Sequence, residues 1–203
     1  MSEMIQTTCA AVSTTAQEPM PGTAPPTQTW LLLEYSGRWK PNALESELPE
    51  TVRERLQTLE RDLPAARIAL IKRGQNSATA PYAFFVARVE LNNSALYRFD
   101  LADYVDLLAL DVPAIRAGDS AYDANRTTDP LLLTCTHGRR DQCCARLGVP
   151  FLSALTDAAG KTLWQASHLG GHRFAPVVIH LPHGIYYGRL NENDAAPLVE
   201  AVN

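Results

Sequence analysis

The chain has 203 residues and a mass of 22.3 kDa, enough for one large domain or two small ones sharing a core. It is 46% hydrophobic and 20% charged with a formal charge of −4, which fits an ordinary globular chain and speaks against a nucleic-acid binder that works through a basic surface. It has no run of about 18 apolar residues to span a membrane, and its Thr/Ser/Ala-rich start, with the first basic residue at Arg38, lacks the charged and apolar stretches of a signal peptide. These features predict a cytoplasmic protein with neither nucleic acid nor membrane as partner.

Residues 1–29 mix Pro19, Pro21, Pro25 and Pro26 with Thr, Ala, Gln and Ser, show no hydrophobic period, and read as a disordered tail. Order is expected to begin at Trp30–Tyr35, a buried strand pattern. An amphipathic helix follows over Pro49–Leu63. Its apolar positions Val52, Leu56, Leu59 and Leu63 are spaced by four, three and four, Pro49 suits the first turn, and Pro64 forbids continuation. Ala66–Lys72 and Tyr82–Val89 read as strands, Ala95–Leu101 as a third, and Asp103–Leu110 as a short helix opened by its aspartate. Gly118–Asp129 is a polar connector, and the charge changes across it. Residues 1–128 hold 12 basic and 16 acidic residues, whereas residues 129–203 hold 6 of each.

The second half reads strand, helix, strand, helix, strand, strand, helix, which is the thioredoxin-like order. Leu131–Thr134 is its first strand. Gln142–Leu147 is a helical piece ended by Gly148, and Pro150 opens a second helix to about Ala158. Thr162–Ala166 is the next strand, and a helical turn carries His168 and His172. Val177–Leu181 and Ile185–Leu190 form a hairpin across Pro182–His183–Gly184, and Asp194–Val202 is a final helix with Asn193 or Asp194 as its cap. The expected class is α/β, with a disordered tail over 1–29, an N-terminal α/β subdomain over 30–128 and a thioredoxin-like domain over 129–203 packed against it.

Nearly all soft donors lie in this second half. Cys135, Cys143 and Cys144 fall within ten residues, and His137, His168, His172, His180 and His183 follow. Clustered cysteines in a reducing compartment point to metal binding or redox chemistry rather than to disulfides. Cys135 sits just past a strand and Cys144 at the start of a helix, where the helix N-terminus, Arg139 and Arg140 would lower a thiol pKa. Histidines four apart on one helical face can reach one metal centre. Gly170 and Gly171 between them are poor helix residues and suggest a close approach to the backbone.

Two thiolates and two imidazoles suit tetrahedral zinc or a [2Fe-2S] cluster. Eight residues separate Cys135 from Cys144, wider than the two to four usual in a zinc knuckle, which favours the larger group. Two imidazoles also leave a cluster less negative than four thiolates would, and so easier to reduce. Of the other residues, His137 reads as a turn or solvated residue that could also support a ligand, and His180 and His183 as structural. Asp141 reads as a helix cap or a partner for Arg140. Arg139, Arg140 and Arg173 could hydrogen-bond near the centre, pair with a partner's acids or simply be solvated. Trp164, Tyr186 and Tyr187 read as core and sheet residues.

The run from Cys135 through Thr-His-Gly-Arg-Arg-Asp-Gln-Cys to Cys144, then His168-Leu-Gly-Gly-His172-Arg-Phe-Ala, then Pro182-His-Gly-Ile-Tyr-Tyr-Gly188, resembles the sucrase/ferredoxin-like family, firmly over residues 129–190. The resemblance implies a thioredoxin-like ferredoxin domain whose [2Fe-2S] cluster is held by Cys135, Cys144, His168 and His172. It makes Cys143 a non-ligand, although the vicinal pair leaves that choice open by one residue. The chain stops at Asn203, shortly after the hairpin, where family members often continue.

The reading that follows is an electron-transfer protein with a redox-protein donor or acceptor, more a carrier than an enzyme. One alternative is a thioredoxin-type thiol-disulfide oxidoreductase, for which Cys-x-x-Cys is missing; another is a non-enzymatic zinc module. A glycosidase is rejected. That chemistry needs two carboxylates across a cleft, and only Asp141 lies near the cysteines and histidines.

Overall fold

The computed structural model describes residues 8–73 and 80–202. The chain is mixed α/β. Among the described residues, nine strands form one sheet: β1 (Thr29–Glu34), β2 (Ala66–Lys72), β3 (Tyr82–Arg88), β4 (Ala95–Leu101), β5 (Arg126–Thr127), β6 (Leu131–Cys135), β7 (Leu163–Ala166), β8 (Val177–Leu181) and β9 (Ile185–Gly188). The described residues also hold five α-helices: α1 (Cys9–Thr15), α2 (Glu50–Asp62), α3 (Val112–Ala117), α4 (Gln142–Ala159) and α5 (Ala195–Val202).

The sheet order is β5-β4-β3-β1-β2-β7-β6-β8-β9. The same pattern occurs twice in it. In β4-β3-β1-β2 the first strand of the half runs parallel to the second and antiparallel to the third, which is antiparallel to the fourth. The arrangement β9-β8-β6-β7 repeats each of those relations. The two sets join through their second strands, where Ile71 pairs with Ala166 and Lys72 with Gln165. One sheet therefore runs through both sides of the connector at 118–129. That connector holds a 3-10 turn, Ser120–Asn125, and the edge strand β5.

Burial explains the strand sequences. All six residues of β1 are buried, as its continuous apolar run demands. Leu31 and Leu33 pack with Val52, Leu56 and Leu59 of α2 and with Val112 and Ile115 of α3. Trp30 and Leu32, one residue out of phase, pack on the other face with Leu133, Cys135, Cys144, Trp164 and Ile179. This second core joins the halves and includes the two cysteine side chains. A third core places Phe151 and Leu155 of α4 with Leu198 of α5 against Leu132 and Val178.

Three stretches depart most from the sequence expectations. The stretch read as a disordered tail contains α1 over its described part, while residues 1–7 lie outside the described residues. It lacks a hydrophobic period because only Ala10 and Ser13 of α1 are buried, and polar bonds hold it instead. Arg189 donates to the Ser13 carbonyl and hydroxyl at 3.2 and 3.0 Å and to the Glu18 carbonyl at 2.8 Å, and Arg173 donates to Glu18 at 2.7 Å.

The two helical pieces expected at 142–147 and from Pro150 are one helix, α4, capped by Asp141. Gly148 does not end it. A Cβ there would collide with the Cys135 carbonyl oxygen, so glycine is what lets α4 cross the end of β6. The turn expected to carry both histidines is not α-helical. Gly170 and Gly171 take left-handed φ values of +91° and +67°, and a 3-10 turn begins only at His172. Of the rest, α3 and β5 have no counterpart in the sequence reading, the short helix expected at Asp103–Leu110 is a 3-10 helix over Tyr104–Ala109, and the remaining elements lie within a few residues of their expected bounds; α5 starts at Ala195, directly after a 3-10 turn, Glu192–Asp194, capped by Asn191.

Two predictions follow from the packing. Gly148→Ala adds the colliding methyl group and should lower stability by about 1–3 kcal/mol, read as a fall in the urea midpoint; an unchanged midpoint would show that α4 can move aside. The second concerns His180, buried on β8, where burial holds the imidazole pKa below its ordinary 6.5. The unfolded chain takes up this proton at a higher pH than the folded one. The contribution is therefore complete above about pH 6.5 and is lost as pH falls through the lowered value. His180→Leu should flatten the drop in melting temperature between about pH 7.5 and 5.5, and an identical slope in both proteins would refute the assignment.

Candidate metal centre

Cys135 is the last residue of β6, held in register by the parallel β6–β7 ladder, with Thr136 N–H continuing to the Ala166 carbonyl at 3.2 Å. Asp141 caps α4 by accepting from Cys143 N–H at 2.8 Å, which sets Cys143 and Cys144 in the first helical turn. Cys135 and Cys144 are buried, and Cys144 Sγ lies 3.8 Å from His168 Nδ1. The ligand atoms of Cys135, Cys144 and His168 all lie within 4.8 Å of one another. The His172 ring stands 5.7 Å from that of His168.

The structure thus gathers three of the four expected ligands closely, with the fourth beside them. The histidines meet through the left-handed Gly170–Gly171 turn, not along a helical face. The Arg67 guanidinium and Pro25 lie against Gly170, whereas Gly171 has only an ordinary contact with Val177. Cys143 points elsewhere, packing with Ala10 of α1 and Ala175.

The two thiols do not ionise alike. The Cys144 thiol, the His168 ring and the N–H groups of Leu169 and His137 stabilise a Cys135 thiolate against the cost of burial, so its pKa is held well below the usual thiol range. Once that charge exists, the neighbouring thiolate and burial push Cys144 far upward. The first proton leaves the pair easily and the second does not, as for any two buried thiols close enough to share one negative charge.

His137 takes the second of the two roles the sequence left open for it, support of a ligand loop rather than a solvated turn. Expected to be a turn or solvated residue, it is 2% exposed. Its Nδ1 accepts from His168 N–H at 3.2 Å, and its Nε2 lies 2.9 Å from the Lys40 carbonyl, so the proton sits on Nε2. Burial keeps its pKa below the ordinary value, consistent with a neutral ring. Trp39 meets the ring edge-on at 5.5 Å. The one sequence signal was its position two residues after Cys135, where a turn must be fixed.

Arg67 of β2 braces the other side, donating to the Leu169 carbonyl at 2.9 Å while its guanidinium lies over Trp30. A cavity of about 340 Å³ opens beside His168, walled by Asn42, Glu60, Arg67, His137 and Arg140. Arg173 pairs with Glu18 within the chain. Trp164 is buried against Phe85, and the His180 and His183 rings touch at the hairpin. Cys9, which the sequence placed in the tail, lies with Asp141 and His172 in a second group of donors.

A buried pair of thiols with histidine at its edge lies where a strand end meets a helix start in an α/β sheet, and its donor atoms are close enough to hold one metal ion. The family comparison agrees with the sequence motifs: the sucrase/ferredoxin-like model matches residues 20–203, and the chain belongs to that family. It is 29% identical over 97 residues to "Altered inheritance of mitochondria protein 32" of Meyerozyma guilliermondii, a match covering 42% of this chain and 34% of that protein, so the chain spans about a third of that relative's length. No solved structure matches the chain.

The His137 bridge is open to test. His137→Phe keeps an aromatic ring against Trp39 but strands the His168 N–H and the Lys40 carbonyl. Each lost partner costs about 1–3 kcal/mol, so the urea midpoint should fall and the His168 amide should exchange faster. Unchanged exchange at that amide would show that the bridge does not hold the loop.

Proposed function

We propose that the protein is an iron–sulfur electron carrier whose [2Fe-2S] cluster is held by Cys135, Cys144, His168 and His172. The observation that carries this reading is the group formed by buried Cys135 and Cys144 and half-buried His168, with donor atoms within 4.8 Å of one another. The donor set fits the group: two soft thiols, one already inclined to ionise, and imidazoles at the edge. Such a cluster, when bound, accepts and returns one electron. The chain's own residues bury the thiols, fix His168 through His137 and fix Leu169 through Arg67. The family name is consistent with a ferredoxin-type role, and we also propose that 129–203 is thioredoxin-like, supported by the order β9-β8-β6-β7 with α4 and α5 on one face.

On this reading the partner is another redox protein. The thiols lie inside the protein while His168 lines the open cavity, so a partner would meet the centre on its histidine side. Free clustered thiols suit a reducing compartment, and the proposed location is the cytoplasm.

Protein purified without air should carry about two irons and two labile sulfides per chain and absorb visible light. Cys135→Ser and Cys144→Ser should each remove most of that absorbance, while Cys143→Ser should keep it. Stoichiometric zinc without sulfide would overturn the cluster. Bleaching by Cys143→Ser and not by Cys144→Ser would move the ligand by one residue.

A further inference from the structure

The sheet is strongly curled. β3 and β7 are three places apart in it, with β1 and β2 between them, and a flat sheet would hold their backbones about 14 Å apart. Yet the Phe85 ring of β3 meets the Trp164 ring of β7 edge-on at 5.6 Å. The two halves thus bend over one another, and a cavity of about 310 Å³ lies in the mouth of the curl, bordered by Arg73, Phe85, Arg98, Asp129, Lys161 and Trp164. We propose that this cavity is a binding site for a small phosphate-bearing molecule. It is separate from the thiol centre. The cavity borders Leu131, where β6 starts, and Cys135 ends that strand four residues on, about 13 Å along it. The inference goes beyond the iron–sulfur reading and does not rest on it.

The first argument is geometry. Phe85 and Arg98 are directly opposite in the β3–β4 ladder and so share a face of the sheet, with the Arg98 guanidinium 6.0 Å from the Phe85 ring centre. Arg73, just past β2, lies over the Trp164 ring at 4.2 Å. The meeting of the two rings therefore brings both guanidinium groups to one cavity. A guanidinium laid on a ring keeps N–H groups in its own plane for an oxyanion. Arg98 donates to Asp100 Oδ1 through Nε and Nη2, at 3.1 and 2.9 Å, and Nη1 is not used in that contact. The pair is about half exposed, so solvent screens it and it holds Arg98 only weakly. Lys161, in the 3-10 turn after α4, adds a third cation and has no ion-pair partner among the described residues.

The second argument is charge. The cavity is bordered by three cations and one acid, Asp129, a net charge of +2. A phosphate monoester carries about −1.5 to −2 at pH 7, and its oxygens accept hydrogen bonds from several directions at once. That matches cations arriving from the end of β2, from β4 and from the turn at 160–162. A single carboxylate carries one charge in one plane and would leave part of the cationic lining unmatched.

The test uses inorganic pyrophosphate as probe, added to the 15N-labelled full chain at an ionic strength held constant with chloride. The indole N–H resonance of Trp164, assigned through its backbone in β7, is followed by NMR. Pyrophosphate should move it saturably, while the indole resonances of Trp30 and Trp39, which do not border the cavity, stay in place. Lys161→Gln and Arg98→Gln, both at exposed positions, should each raise the dissociation constant about tenfold. Asp129→Asn removes the opposing charge and should lower it. Acetate should cause no comparable shift. Absence of a saturable shift, an equal shift with acetate or chloride, or unchanged dissociation constants in both Lys161→Gln and Arg98→Gln, the mark of an adventitious ion only, would overturn the proposal.

Discussion

Two thiols from different elements face each other inside the protein, and much of the second half is arranged to allow it. Cys135 ends β6 and Cys144 lies in the first turn of α4, so the helix must return across the strand it has just left. Glycine at 148 permits that crossing, because any side chain there would meet the Cys135 carbonyl. Asp141 fixes where the helix starts, and the β6–β7 ladder fixes where the strand ends. Local backbone thus brings the thiols together before any ligand is considered, and their proximity makes one proton easy to lose and the other hard.

The first half contributes to the centre although it supplies neither thiol. Its strands repeat the β-order of the second half, and the two join at β2 and β7. From that position Arg67 reaches the Leu169 carbonyl, Ser167 accepts from Leu70 N–H at 3.0 Å, and the Lys40 carbonyl meets His137. The loop bearing His168 is held from the neighbouring half. Hydrogen bonds to buried polar groups are costly to leave unmade, so these contacts restrict the loop more than their number suggests.

What the sequence revealed depended on the kind of signal. The α2 helix and strands β1, β2, β3 and β4 were readable because burial imposes a period on apolar residues. The cysteine–histidine set was readable because its donors are rare residue types concentrated in one stretch. Three features carried no such signal. Gly148 looked like a helix end because its actual role, letting α4 cross the carbonyl of Cys135, depends on the tertiary path. His137 looked solvated because its partners, Lys40 and His168, are distant in sequence or act through the backbone. The strap bearing α1 looked disordered because arginine bonds to carbonyls, rather than an apolar stripe, hold it down.

The strap also changes how the centre should be described. The inner thiols are sealed by packing, whereas the histidine rim is bordered by the partly exposed Asp141, His172 and Arg173 and by the exposed Cys9. The Arg173–Glu18 contact holds the Glu18 carboxyl below its usual range, yet Glu18 is open to solvent, so the pairing is screened and weak. Three hydrogen bonds from Arg189, which is only partly exposed, give the firmer attachment. The strap is therefore fixed at Ser13 and Glu18 by the folded second half, and α1 carries Cys9 to the rim as a consequence of that attachment. The chemistry of the rim then depends on residues far apart in sequence, whereas the thiol pair at the bottom is set by a strand end, a cap and a helix start within a single short stretch.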